Sequence, residues 1–196
     1  MRKRPEKTEQ TKADLEEAFW RLYEISPVEK VSVSAVCERA GYNRATFYLH
    51  FKDIYDLLES IESRIANGMT TCVEACMQRL AADTSKLALM AALKDVIAYY
   101  EHNRRHIVVL LGPKGDPAFT VRLKDALKPL WRRYVVADAV GDHTEQELDL
   151  MLEYTLAGTL FMISRWLADP GDIGVVEMGK LVYDTSIRDL SARASC

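Results

Sequence analysis

At 196 residues, with 48% hydrophobic and 28% charged side chains and only 9 Gly and 6 Pro, the chain has the make-up of a globular protein, which excludes a disordered one. A net charge of −3 speaks against a nucleic-acid partner for the chain as a whole, yet residues 1–12 hold five Lys/Arg against two Glu, a basic tip on an acidic body. Apolar runs such as Ile107-Val108-Val109-Leu110-Leu111 fall far short of the roughly 18 residues that suggest a membrane span.

In chain order, the basic start Met1-Arg2-Lys3-Arg4 leads into Pro5, Glu6 and Lys7 with no apolar stretch behind it, so no export signal is read. The expectation is a cytoplasmic protein with Cys37, Cys72, Cys76 and Cys196 reduced. Thr11 with Asp14 reads as a capping pair, after which Leu15, Ala18, Phe19, Leu22 and Tyr23 recur at helical spacing and predict a first amphipathic helix ending near Ser26-Pro27. A second, short helix is predicted from about Val33 to Ala40, with Ser32 as N-cap and Gly41 just past its end. Asn43 caps a third and Asp53 a fourth, which carries Leu57, Leu58, Ile61 and Ile65 on one face. Further helices are predicted at about 86–102, 103–111, 117–137, 144–168 and 174–192, the fourth of these opened by a Thr144/Glu147 capping box. No β-alternation of useful length appears, so the fold class is all-α with about nine helices: a helix-turn-helix domain over residues 1–52 and a larger helical domain over 53–196.

The third helix has the parts of a major-groove reader. Asn43 and Arg44 stand at its start, and Arg44 is suited to a bidentate contact with guanine. Thr46, Tyr48, His50 and Lys52 supply donors of the kind that hold phosphate oxygens, while Phe47 and Phe51 at i, i+4 anchor the inner side. Each polar residue alone also fits an ordinary solvated helix face. The run from Ser32 to Phe51, followed by Asp56-Leu57-Leu58, resembles the N-terminal domain of TetR-family transcriptional regulators over about residues 11–60. The resemblance implies an all-α homodimer that binds a near-palindromic double-stranded DNA operator, with a variable C-terminal domain that takes a small-molecule effector or, in some members, a partner protein. Carried onto this chain, Ser32 and Ser34 fall where the second helix approaches DNA, Arg44 and Ala45 at base-reading positions, and Thr46, Tyr48 and His50 on the phosphate-contacting face. Ile54 stands where the family usually has Lys, with Lys52 near enough to substitute, and Ser34 is smaller than in strong base readers, which shifts the weight to Arg44 and DNA shape. The tail residues Arg2, Lys3 and Arg4 are open to two roles, added DNA contacts or solubility.

In the C-terminal half, Met90, Tyr99, Tyr100, Trp131, Tyr134 and Phe161, with Met69 and Trp166, are candidates to line an effector pocket, and each is equally a core residue. Leu156, Gly158, Leu160, Gly179 and Tyr183 are the candidate dimer contacts, because the family pairs its last two long helices in a four-helix bundle. The small residues also suit packing inside one subunit. Asn103-Arg104-Arg105-His106 through Gly115-Asp116-Pro117-Ala118-Phe119 is similar to a TetR-like subset related to the dihydroxyacetone kinase activator, which raises a protein partner as the alternative to an inducer. His102/His106 and Cys72/Cys76 have i, i+4 spacing without a clear third ligand, Gly112-Pro113-Lys114-Gly115 lacks phosphate-loop spacing, and no catalytic triad order is visible. The sequence therefore reads as a DNA-binding repressor released by an effector, not an enzyme, with no metal or cofactor. The second reading is an adaptor that works through a protein partner.

Overall fold

The computed structural model describes residues 3–83, 85–112, 115–137, 143–188 and 190. Among them no strand occurs, and eight α-helices follow one another: α1 (Lys3–Tyr23), α2 (Val33–Ala40), α3 (Arg44–Tyr48), α4 (Ile54–Ala82), α5 (Lys86–Leu110), α6 (Pro117–Tyr134), α7 (Glu145–Ala168) and α8 (Val175–Tyr183). A 3₁₀ turn at Val28–Lys30 joins α1 to α2, and α8 runs into a π-helical turn, Asp184–Arg188. The chain divides into two compact units, Met1–Arg64 and Ile65–Cys196, so the division falls inside α4.

The first unit is built on α1. Leu15, Phe19, Trp20, Val36, Phe47, Leu57 and Ile61 are buried in it, and each large apolar side chain so buried contributes about 1.5–3 kcal/mol. Polar bonds tie α4 to α1 as well: Glu16 accepts from Ser60 Oγ at 3.4 Å and pairs with Arg64 at 3.3 Å. Helix α1 begins at Lys3, ahead of the predicted Thr11–Asp14 cap. Thr11 is buried inside the helix and Asp14 serves the next helices instead, as described below.

In the second unit, one helix replaces the two predicted over 86–111. The segment Glu101 to Arg105 contains no Pro or Gly, and its charged residues lie on an exposed side of α5. Ser85 caps α5, Asp116 with Pro117 opens α6, and Thr144 with Glu147 forms the predicted capping box of α7. Lys128 joins α6 to α7 through Asp149 at 2.6 Å and Glu153 at 2.7 Å, and Lys124 also bonds Glu153. Gly68 in α4 has a steric reason: any side chain there would run into the Tyr99 ring, whose hydroxyl donates to Ile65 O at 2.9 Å. The predicted segment 174–192 extends past residue 188 to positions that lie largely outside the described residues, as does Cys196.

Candidate nucleic-acid interface and internal cavity

Local bonds shape the α2–α3 unit. Ser32 Oγ accepts from Ala35 N at 3.2 Å and starts α2. Gly41 ends it in the left-handed region (φ 74°), where its N–H returns to Cys37 O and Glu38 O, and a side chain at that φ would be strained. Tyr42 then donates its hydroxyl to Asp14 Oδ2 at 2.8 Å, which fastens the turn to α1. Asn43 Oδ1 accepts from Thr46 N at 2.8 Å and from Thr46 Oγ1 at 3.1 Å, so both side chains serve to start α3.

Helix α3 is thereby divided into two faces. Phe47 and Phe51 are buried, with ring centroids 5.7 Å apart, and Lys12 stands 5.9 Å from the centre of the Phe51 ring. Ser32, Ser34, Asn43, Arg44, Ala45, Tyr48 and Lys52 are exposed, and Thr46 and His50 are half-buried. Arg44 Nη2 donates to the Tyr48 hydroxyl at 3.3 Å, so the guanidinium lies along the open face with donors left over. The structure brings all nine predicted interface residues into this one unit. Ile54 is 6% exposed, so the position where the family usually has a lysine serves the core here. Lys52 stays exposed, its backbone N–H held by Asp56 Oδ2 at 2.8 Å. Lys3 and Arg4 fall in the first turn of α1, whereas Arg2 lies outside the described residues.

The second unit holds a half-open cavity of about 170 Å³ walled by α4 to α8. Tyr99, Tyr100 and Trp131 line it, together with Met69 and Trp166. Met90, Tyr134 and Phe161 stand outside it: Met90 is 38% exposed, Tyr134 lies under the Arg133 guanidinium, and Phe161 is 74% exposed beside a separate groove of about 490 Å³ along α6 and α7. Trp131 Nε1 donates to Ser186 O at 2.8 Å, the carbonyl being supplied by the π-helical turn, and the buried Thr159 and Ser186 hydroxyls bond each other. Neither this bond nor Tyr42–Asp14 is legible in the sequence, because the partners lie far apart in the chain.

Of the five residues considered for a dimer face, Leu156 and Leu160 are buried within the chain and line the cavity. Gly179 faces Leu93, and Tyr183 packs on the cluster of Cys76, Leu80 and Ala92. Gly158 is exposed, within an outward stripe of α7 formed by Leu150, Tyr154, Ala157 and Phe161. That stripe has helical spacing, but the near-complete apolarity of α7 hid it in the sequence. Among the described residues no group of three or more His, Cys, Asp or Glu is placed to hold a metal, and no helix is long and apolar enough to cross a membrane.

The family model for bacterial regulatory proteins of the tetR family matches residues 18–61, which run from the end of α1 to the start of α4. A second model, for the C-terminal region of transcriptional regulators, matches residues 89–186. No curated protein matches the chain. Regulators of this family are generally non-enzymatic. A reader helix with an open polar face, the match that covers it and the match over half the chain behind it lead to one conclusion: the chain belongs to the TetR family of DNA-binding transcriptional regulators.

Proposed function

We propose that the protein is a homodimeric repressor whose α3 reads a near-palindromic operator and whose grip is loosened by a small molecule held in the cavity of the second unit. The observation that carries this reading is α4. At its start it places Ile54, Leu57 and Ile61 in the core behind the reader helix, and further on it gives Met69, Cys72 and Val73 to the cavity wall. A ligand that favours one position of α4 would bias the spacing of two reader helices, which must suit half-sites about 34–36 Å apart. The apolar stripe on α7 supports a second copy as the partner, since an exposed patch of that kind marks an interaction surface.

Selection from random duplex DNA, followed by titration at several salt concentrations, tests the reading. The expected result is a palindromic site bound by two copies with steep salt dependence. Absent or salt-insensitive binding would replace it with the adaptor reading, in which the chain acts through a protein partner.

A further inference from the structure

The chemistry of the cavity wall restricts what can occupy it. No charged side chain lines the cavity among the described residues, and most of its polar groups are already engaged. Tyr99 O–H is given to Ile65 O, Trp131 N–H to Ser186 O at 2.8 Å and Trp166 N–H to Ile173 O at 2.8 Å. Thr159 donates to Thr155 O at 2.7 Å, so the proton between Thr159 and Ser186 comes from Ser186. The Tyr100 oxygen accepts from Arg104 Nε at 3.3 Å in an exposed contact, which leaves the Tyr100 O–H to donate. Burial raises the pKa of the Cys72 thiol, which keeps it neutral. What remains at the hydroxyl pair is oxygen lone pairs: the wall has room to accept a hydrogen bond and little to donate beyond the Tyr100 O–H.

We infer that the cavity takes a compact, uncharged aromatic molecule carrying at most one hydrogen-bond donor, and excludes carboxylates and phosphates. An anion would be buried without a cation and with only the Tyr100 hydroxyl and a weak thiol donor to replace its water. Size sets the other limit. An apolar cavity of about 150 Å³ stays dry and accepts benzene, so one of about 170 Å³ suits a guest of roughly six to ten non-hydrogen atoms. In naming an effector, the inference rests on the regulatory role proposed above.

The test is calorimetry and thermal melting of the full chain with toluene, indole and benzoate. Toluene and indole should bind saturably and raise the Tm, indole more tightly because its N–H finds an acceptor, while benzoate should produce no shift. Val182→Phe, which fills the cavity, should weaken toluene at least tenfold. Cys72→Leu fills the same space by a smaller step and serves if Val182→Phe melts without cooperativity. Benzoate binding as tightly as toluene, or a folded filled variant responding like the parent, would overturn the assignment. Operator titration separates this inference from the regulatory reading. Neutral probes that bind but leave operator affinity unchanged uphold the ligand class and remove the effector role. Benzoate that binds and releases the operator upholds the role and overturns the class.

Discussion

The two units solve opposite problems with the same kind of helix. In the first, structural and functional residues alternate along one short stretch: Phe47 and Phe51 hold α3 in place while Arg44 and Tyr48, on the same helix, remain free to touch DNA. In the second, the same side chains do both jobs, since Trp131, Leu156 and Thr159 are core residues that also form the cavity wall. Function in the first unit should therefore be removable without harming the fold, whereas in the second the two should fail together.

The largest expected effect tests the independence of the first unit. Phe47 is fully buried, and Phe47→Ala should cost about 3–5 kcal/mol and abolish operator binding. If the units unfold separately, toluene binding will persist at temperatures where the variant no longer binds DNA. Simultaneous loss of both would show that the division at Arg64 is geometric and not thermodynamic.

Next in size is Trp131→Phe, which keeps one aromatic ring but deletes the second ring and the N–H that serves Ser186 O. Leaving that carbonyl unpaired in a buried site costs about 1–3 kcal/mol. Chemical denaturation should register the loss, and ligand affinity should fall with it, because the wall and the core are one structure. Unchanged ligand binding in a destabilised variant would break the contrast between the units.

How far the sequence revealed each unit follows from the same contrast. Ser32, Asn43 and Gly41 act on backbone groups within four residues of themselves, so the reader helix and its exposed face could be placed from spacing alone. Tyr42–Asp14 spans α1 and the turn, and the cap expected at Thr11–Asp14 does not form because one Asp14 oxygen accepts from Tyr42 at a distance and the other from Gln10 inside α1. In the second unit, helical period identified which residues are apolar but not which neighbour covers them. Phe161 and Trp131 look alike in the sequence, yet one faces solvent and the other the core. The lone-pair-only polar spot in the cavity depends on the π-helical turn bringing Ser186 to Thr159, a contact across 27 residues.

A subtler expectation concerns the reader face. Arg44→Ala should reduce discrimination between operator and unrelated DNA by roughly tenfold or more, with the Tm unchanged because the side chain is exposed. Tyr48→Phe removes the hydroxyl that receives Arg44 and should weaken all sites alike. Gel-shift titration against operator and scrambled duplexes distinguishes the two, and the reverse pattern would exchange their roles.

The smallest effect lies at the start of α7, where a local signal in the second unit acts as it does in the first. Thr144 Oγ1 accepts from Glu147 N at 3.2 Å, and the Glu147 carboxylate accepts from Thr144 N at 2.7 Å and Oγ1 at 2.8 Å. Those two bonds from Thr144 hold the Glu147 pKa below the ordinary glutamate range. A carboxylate depressed by folding adds stability that is complete above its unfolded pKa and disappears as the pH falls through the folded one. Thr144→Ala deletes the hydroxyl, and with it both the cap to Glu147 N and one bond to the carboxylate, so it should lower the Tm by about 2–4 °C at neutral pH. As the pH drops below the glutamate range the carboxylate's share of that loss should vanish, leaving only the backbone cap. A Tm difference that stays constant from neutral to acid pH would mean that the hydroxyl acts through the backbone alone, making α7 begin in the way that Ser32 begins α2.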